Sequence, residues 1–217
     1  MLNGIEVVVP AHDEAAELPT CLAALAVAAG RSPLPVRVTV VADACTDATA
    51  RIARSAGARV LEVDVRNVGA ARAVGFAGVD RADLWFATTD ADSRVPASWF
   101  ADQLAADADA VAGAVDVLDW SEWPPHLPHH YRALYSREEG HVHGANLGVS
   151  SWAYRTVGGF TALTDGEDVD LVDRLRARGF TVTHPATAPV VTSARRTGRC
   201  HAGFSDHLRG LEAEVTP

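Results

Sequence analysis

Lysine is absent from this sequence. All 19 basic residues are arginines, and they face 28 acidic residues, which gives a net charge of −9. Because nucleic-acid-binding domains concentrate positive charge, this balance argues against a nucleic-acid partner. Cysteine is also scarce: the three thiols lie far apart and form no C-x-x-C pair. The sequence therefore predicts neither a disulfide framework nor a zinc site.

Long apolar runs and a leader segment are missing as well. No stretch approaches the length of a membrane-spanning helix, and residues 1–4 place no basic segment ahead of an apolar one. We therefore expect no integral membrane span and a soluble, cytoplasmic protein. With 217 residues, of which 48% are hydrophobic, the chain is long enough for one domain with a full core.

The first half of the sequence alternates strand and helix patterns. Such alternation predicts an α/β fold with a mostly parallel central sheet and helices on both faces. The predicted strands are Ile5–Val9, stopped by Pro10, then Val36–Val41, Arg59–Val63 and residues 84–87. The predicted helices run from near Pro19 to Gly30, from Thr46 or Asp47 to Ala56, and from Ala70 to Gly78.

The second half is less regular. Residues 120–130 hold two Trp, three Pro and three His, and we expect a long loop or lid there. Residues 143–149 could form a strand, and 167–178 have the pattern of a helix. Residues 186–203 are rich in Arg and Thr, and the chain closes with a short amphipathic helix.

Polar side chains follow three of the predicted strands. They are His12, Asp13 and Glu14 after the first, Asp43 after the second, and Asp90 and Asp92 after the fourth. In parallel sheets, ligands bind beyond the carboxyl ends of the strands. Two carboxylates separated by one small residue also suit a hard divalent cation such as Mg²⁺ or Mn²⁺. Taken alone, Asp-x-Asp is better explained by a solvated turn at the end of a strand.

Seven segments, in this order, resemble the motifs of family 2 glycosyltransferases. They are Val7–Glu14, Val40–Thr49, Asn67–Gly75, Thr89–Asp92, Gly144–Gly148, Gly158–Phe160 and Glu167–Gly179. Two positions depart from the family pattern. Asp13 stands where Asn is usual, and Ala42 replaces the first residue of an Asp-Asp pair. The second change leaves the base preference of the donor open.

The resemblance implies a GT-A-like fold in one domain, residues 1–217. This domain would consist of a nucleotide-binding half (1–93), an acceptor half (94–185) and a C-terminal tail (186–217). It also implies inverting transfer from a nucleotide-diphosphate sugar to a hydroxyl acceptor, which could be a small molecule, a glycan or a lipid. The cofactor would be Mn²⁺ or Mg²⁺, held chiefly by Asp92, with Asp90 beside it and facing the ribose.

The resemblance also assigns the donor-binding residues Pro10, His12, Glu14, Asp43, Asn67, Arg72 and Asp90. Each of the stronger candidates has a plainer alternative. Asp43 could cap the helix ahead of Thr46, and Glu14 could be solvated in a first helical turn. Arg72 could be a surface arginine, and Asn67 could belong to a turn.

Asp168 is the residue that the resemblance gives as general base, with helix capping as its alternative. Glu167 and Asp170 compete for the role. Asp170 would point away around the helix, and Glu167 could bond nearby backbone. The acceptor side would include His143, Gly144, Asn146 and Glu167.

Several further residues stay open. His141 and His143 are spaced as a pair on one strand face, either as metal ligands or as hydrogen-bonded residues of a pocket wall. His201 could complete the metal shell. Arg195, Arg196 and Arg199 could close over a diphosphate, bind an anionic acceptor or form a solvated arm. Trp120, Trp123 and Trp152 could stack on a sugar or cover the core.

Two other functions share such a fold. A nucleotidyltransferase normally has a Gly-rich basic loop after its first strand, whereas residues 10–14 are acidic. A non-catalytic nucleotide-sugar-binding or scaffold protein is the second alternative, because a fold does not fix an activity. A nicotinamide-dependent dehydrogenase is disfavoured, since no G-x-G-x-x-G follows the first strand.

Overall fold

A computed structural model of the chain describes residues 1–117, 119–135, 140–196 and 204–215. The strands are β1 (Ile5–Ala11), β2 (Val36–Asp43), β3 (Arg59–Val63), β4 (Trp85–Thr88), β5 (Ala110–Ala112), β6 (Val115–Val117), β7 (Leu147–Ser150), β8 (Val182–Thr183) and β9 (Val190–Thr192). The α-helices are α1 (Leu18–Gly30), α2 (Thr49–Ser55), α3 (Val68–Phe76), α4 (Trp99–Ala105), α5 (Leu127–Tyr135), α6 (Ser151–Thr156), α7 (Glu167–Ala177) and α8 (Phe204–Val215).

A seven-stranded sheet has the order β3-β2-β1-β4-β7-β5-β8. Strands β1 to β4 pair in parallel, β7 runs antiparallel to β4 and β5, and β8 returns parallel to β5. Strands β6 and β9 form a separate parallel pair. The expected α/β architecture with a mostly parallel sheet is therefore confirmed.

The alternation of side chains along β1 divides the core between the two faces of the sheet. Val7 and Val9 join one hydrophobic cluster, which includes residues of α1 and α4, while Val8 joins another with residues of α3 and α7. Both clusters consist of nearly fully buried side chains. Helices therefore cover both faces, as the sequence pattern predicts for a largely parallel sheet.

Pro10 does not end the first strand, contrary to the prediction. It pairs in register with Val41, and β1 continues to Ala11. The pairing of β1 with β4 ends at Val8, so Pro10 lies beyond that ladder and its missing N–H interrupts no bond on that side. This extension carries His12 and Glu14 to the same edge as Asp43.

Two predictions for the second half are wrong. The segment 120–130 is not a loop throughout, because α5 begins at Leu127. Residues 143–149 are not one strand either, since a 3₁₀ turn at Gly144–Asn146 precedes the short strand β7. The predicted starts of α2 and α3 are also displaced, by two or three residues.

A third hydrophobic cluster joins α5 and α8. It contains Trp123, Leu127, Tyr131 and Leu208, all buried, so Trp123 covers a core and is not exposed to stack on a sugar. Trp120 is partly buried against the same cluster, and Trp152 is exposed, edge-on to Phe180. Over the described ranges, no helix has the length and apolar character needed to cross a membrane.

Candidate active site

The acidic pair Asp90 and Asp92 follows β4 at the centre of the sheet edge. The Asp90 side chain is 38% exposed, whereas that of Asp92 is 12% exposed. Burial raises the pKa of Asp92 to about 6, with a further contribution from the negative charge of Asp90. Arg195 opposes that rise. The position thus holds a carboxylate that is poorly solvated and would be stabilised by additional positive charge.

Arg72 connects Asp90 to helix α7. Its guanidinium bonds Asp90 at 2.7 Å and forms a second ion pair with Glu167. Burial disfavours the charge, but Asp90 and Glu167 more than offset it, and the pKa of Arg72 is raised. The alternative of a surface arginine is therefore wrong. The Glu167 carboxylate pairs with Arg72, and it also bonds backbone of its own residue, as expected.

The position of Arg72 also explains why residue 144 is a glycine. A Cβ added to Gly144 would collide with the Arg72 guanidinium, so only glycine admits the arginine at this point. Burial raises the pKa of Glu167, although the charge of Arg72 acts in the opposite direction. The pair is therefore a buried connection between the Asp90 edge and the first residue of α7.

Arg195 approaches the acidic pair from the segment after β9. It forms a fork to Glu14, with distances of 3.0 and 2.6 Å, and lies 3.1 Å from Asp92 Oδ2. Glu14 is buried, so the alternative of a solvated glutamate is wrong. Arg196 instead pairs with Glu212 and lies over the Trp123 ring. Arg199 and His201 lie outside the described residues.

These six side chains form one ionic cluster, which we define as Glu14, Arg72, Asp90, Asp92, Glu167 and Arg195. Its four carboxylates and two guanidiniums leave two negative charges when all are ionised. Oxygen donors with that excess charge fit a hard divalent cation. Asp90 and Asp92 are the members whose carboxylates follow the central strand and could hold it.

The loops after β1, β2 and β3 are braced by carboxylates of their own. Asp43 accepts from the backbone N–H groups of Val65, Arg66 and Asn67, at 2.8 to 3.1 Å. His12 Nδ1 donates to the Asp43 carbonyl oxygen at 2.6 Å. We call residues 12–13, 43–47 and 65–67 the strand-end loops.

Asp13, not Asp43, accepts from the N–H groups of Thr46 and Asp47. The alternative that Asp43 caps this turn is therefore wrong. Among the described residues, Asp13, Cys45 and Asp47 also bring possible metal-ligand atoms within 4.8 Å of one another. Because Asp13 and Asp47 already accept backbone N–H groups, the geometry is that of a braced loop.

Asn67 caps helix α3. Its side chain accepts from the N–H of Ala70 at 2.8 Å and donates to the carbonyl of Leu163 at 2.7 Å. Both ends of the amide are thus engaged with the protein. Asn67 therefore lies at the edge of the site, where it caps α3 and connects that helix to the loop before α7.

Asp168 lies in the first turn of α7, next to Glu167. Its Oδ2 accepts from the N–H of Gly144 at 2.6 Å, which ties α7 to the 3₁₀ turn before β7. Asp170 bonds Arg174 and Thr161 instead, in agreement with the expectation that it turns away. Of the three acids, Asp168 therefore combines partial exposure with proximity to the ionic cluster.

The acceptor-side candidates divide into two kinds. Asn146 is engaged inside the protein, accepting from Trp99 Nε1 at 2.7 Å and donating to Ala114 at 2.8 Å. His143 has a buried Nε2 with no hydrogen-bond partner among the described residues, and burial lowers its pKa to about 4. His141 stacks on Tyr135 and bonds its carbonyl. Neither histidine lies on a strand, so that part of the prediction is wrong, but the two rings do lie side by side, stacked with centroids 5.9 Å apart.

Sequence reasoning missed the two long-range ion pairs of the ionic cluster. Arg195 and Glu14 are separated by 181 positions, and Arg72 and Glu167 by 95. No spacing rule connects residues at such distances. The one signal in the sequence was that charged residues follow strands or begin helices, which indicates that they lie at one edge of the sheet but not which of them pair.

Comparison with known proteins identifies the family. The model of "Glycosyl transferase family 2" matches residues 6–157. Solved structures with the same fold include TarS 1–349 from S. aureus with UDP-GlcNAc (TM-score 0.69, 15% identity, 99% of this chain and 66% of that chain). They also include the mannosyltransferase PcManGT from Pyrobaculum calidifontis with GDP-Man and Mn²⁺ (TM-score 0.71, 19% identity, 90% and 58%).

This chain thus spans about three fifths to two thirds of the length of those proteins. A search of curated protein sequences finds no match. At such identities the structural likeness shows the fold, while the match over residues 6–157 shows the family. The chain belongs to glycosyl transferase family 2 and has its GT-A-like fold.

Proposed function

We propose that this glycosyltransferase moves a sugar, with inversion, from a nucleotide-diphosphate donor to a hydroxyl acceptor. The observation that carries the proposal is the continuous path from the acidic pair to Asp168. Asp90 pairs with Arg72, Arg72 pairs with Glu167, and Glu167 precedes Asp168 on α7. A donor site and a candidate base are thereby held at a fixed separation, as in-line displacement requires.

The donor nucleotide would lie across the strand-end loops, with its diphosphate toward the ionic cluster. Pro10, His12, Glu14 and Asp43 border this region, and Asn67 and Arg72 close it on the α3 side. The TarS and PcManGT structures contain UDP-GlcNAc and GDP-Man, which supports a nucleotide sugar as ligand. We extend this to a division into nucleotide-binding (1–93), acceptor (94–185) and tail (186–217) segments.

Asp92 and Asp90 would hold Mn²⁺ or Mg²⁺. Such an ion, when bound, would offset the charge that develops on the departing diphosphate. The Mn²⁺ in the PcManGT complex and the two excess negative charges of the ionic cluster both support this assignment. Arg72 fixes Asp90, and its guanidinium keeps positive charge near the leaving group.

Asp168 would take the proton of the acceptor hydroxyl while that oxygen attacks the sugar carbon opposite the diphosphate. The bond from the Gly144 N–H orients the carboxylate toward the 3₁₀ turn before β7. Glu167 would position α7 through Arg72. His143, Gly144 and Asn146 would border the acceptor, whose class (small molecule, glycan or lipid) these contacts leave open.

The test is a thermal-shift series with UDP, GDP, dTDP and ADP, each with and without Mn²⁺. A ligand at about a hundred times its Kd adds roughly 2.7 kcal/mol, which is about 5–10 °C for a domain of this size. We expect one base to give a shift of that order only with metal, and Asp92→Asn to remove it. Asp173→Asn, on an exposed acid of α7, is the matched control. Absence of any shift from folded wild-type protein would contradict the proposal.

A further inference from the structure

Arg195 occupies a position that the proposed function would give to a metal ion. Resting on that function, we propose that Arg195 is an internal counter-cation of the acidic pair, and that a divalent ion must displace it from Asp92 in order to bind. The chain would thereby set the metal affinity of its own site. The contacts of Arg195 and its attachment to the fold support this inference, and the neighbouring Arg196 provides a control.

The guanidinium of Arg195 bridges two carboxylates that come from different strands. The same terminal nitrogen lies 2.6 Å from Glu14 Oε1 and 3.1 Å from Asp92 Oδ2. The other terminal nitrogen completes the fork to Glu14 at 3.0 Å. Glu14 and Asp92 are only 6% and 12% exposed at their side chains, so both depend on protein cations for compensation.

The attachment of Arg195 is short and lies on the far side of the site from Arg72. Strand β9 pairs with β6, and Val191 exchanges two backbone hydrogen bonds with Arg94, two residues after Asp92. Thr192 also reaches toward Asp92, at 3.5 Å. The segment that carries Arg195 is therefore fixed beside the acidic pair. Its guanidinium would leave Asp92 through movement of side chains, with the Glu14 carboxylate moving together with it where the fork is kept.

The two possible cations would compete for one carboxylate. A metal ion on Asp92 and a guanidinium 3.1 Å from Asp92 Oδ2 repel each other in a region of low exposure. Glu14 offers Arg195 an anchor that survives loss of the Asp92 contact, because the fork to Glu14 uses both terminal nitrogens. Arg195 therefore stays beside the site after displacement, and the cost of releasing it lowers the metal affinity.

Arg196 provides a matched control one residue away. It has the same charge, but its partners are Glu122, Glu212 and the Trp123 ring, none of which belongs to the ionic cluster. Removing Arg196 changes the net charge of the protein by the same amount. A difference between the two variants thus reports the local contacts of Arg195 with Glu14 and Asp92 and not the overall charge.

The experiment is calorimetric titration of Mn²⁺ into the nucleotide-free full chain. We expect Arg195→Gln to lower the Mn²⁺ Kd about five- to tenfold, a size usual for a coupling between two sites. Arg195→Lys, which keeps the charge but loses the fork, should fall between this variant and wild type. Arg196→Gln should leave the Kd within about twofold of wild type, and melting temperatures check that all variants are folded.

An unchanged or higher Kd in folded Arg195→Gln would overturn the inference, and so would an equal decrease in Arg196→Gln. Failure of the proposed function has a different signature. In that case wild type and Arg195→Gln would both fail to bind Mn²⁺, or Asp92→Asn would bind it as wild type does. If Asp92→Asn abolishes binding while Arg195→Gln binds like wild type, the metal site stands and the role of Arg195 falls.

Discussion

The strand-end loops and the ionic cluster lie side by side at the same edge of the sheet, but their carboxylates have different partners. In the strand-end loops, Asp13 and Asp43 accept from backbone N–H groups of neighbouring loops. In the ionic cluster, Asp90 and Asp92 are compensated by arginine side chains from α3 and from the segment after β9. Backbone donors cannot leave without loss of the fold, and the buried Arg72 is held by two ion pairs, whereas the more exposed side chain of Arg195 can move away from Asp92.

This difference separates a fixed frame from an exchangeable set of charges. The frame holds the region where a nucleotide would lie, and the exchangeable charges surround the place where charge would change during transfer. Variants of both regions test that separation, and their effects should decrease from the ionic cluster and its boundary to the strand-end loops.

The greatest change is expected at Asp168, at the boundary of the ionic cluster. Asp168→Asn should reduce turnover of the donor by about 10²- to 10⁴-fold, the usual contribution of a general base. Nucleotide binding should persist, because the asparagine oxygen can still accept from the Gly144 N–H. Release of nucleoside diphosphate measures turnover, and the thermal shift measures binding. Full turnover in the variant would assign the base elsewhere.

Arg72 should be the most important residue of the cluster for stability. Arg72→Met leaves the buried Glu167 without its cation, and removing one partner of a buried pair costs about 3–5 kcal/mol. The double variant Arg72→Met with Glu167→Gln should recover a large part of that loss. Urea unfolding of the two single variants and the double variant gives the coupling free energy. A coupling near zero would show that the pair does not connect the two halves.

His143 should make the region next to the 3₁₀ turn at Gly144–Asn146 sensitive to acid. Its pKa is about 4 in the folded protein because of burial, below the usual 6.5, and the nearby Asp168 and His141 act in opposite directions. Folding therefore favours the neutral form of His143. The free energy of unfolding has its full value above pH 6.5, and it falls by up to about 3 kcal/mol as the pH falls toward 4, because the unfolded chain binds the proton more readily.

The check is the free energy of unfolding of wild type and His143→Gln at pH 7 and pH 4.5. Wild type should lose more stability than the variant over this interval, since the other titrating groups are common to both. Equal losses would mean that His143 is protonated in the fold.

Asp43 tests whether the strand-end loops behave as a fixed frame. In Asp43→Asn, one of the two side-chain acceptors becomes a donor that faces backbone N–H groups. We expect a loss of about 2–3 kcal/mol, in the range for charged hydrogen bonds and an unsatisfied buried donor. Thermal or urea unfolding measures it. If the variant is as stable as wild type and has only lost its preference for one nucleobase, then Asp43 contacts the base and does not stabilise the loops.

The smallest effect is expected at Asn67. Asn67→Ala removes the cap of α3 and should cost about 1 kcal/mol, while Asn67→Ser, which can cap, should cost less. Nucleotide shifts should stay close to wild type in both. If Asn67→Ser keeps full stability but loses nucleotide binding, Asn67 contacts the donor directly.

The sequence was sufficient for the parallel half of the fold and for the position of the acidic pair. Short apolar runs, glycine after helices and acidic residues that follow strands are local signals, and they are present around β1 to β4. Pro10 was misjudged because proline is excluded only where its N–H would face a partner strand, and that depends on the register with β4.

The sequence was insufficient for the partners of the charged residues. Glu14 and Arg72 each have a solvated alternative on local grounds, and only the tertiary fold buries Glu14 against Arg195 and Arg72 against Glu167. The second half was harder for a related reason. Its strands β5 to β9 have two to four residues, too few to display a period, and α5 is held by contact with α8 across the chain.

A ³¹P NMR time course would follow the proposed transfer itself, with the full chain, Mn²⁺ and the sugar nucleotide whose base gives the thermal shift. We expect nucleoside diphosphate to appear, slowly with water as acceptor and faster with a suitable hydroxyl compound, and we expect Asp168→Asn to suppress it. Release of pyrophosphate would identify a nucleotidyltransferase and contradict the proposal. An unchanged spectrum from protein that binds the nucleotide, across a broad set of hydroxyl acceptors, would also contradict it and identify a non-catalytic binding protein.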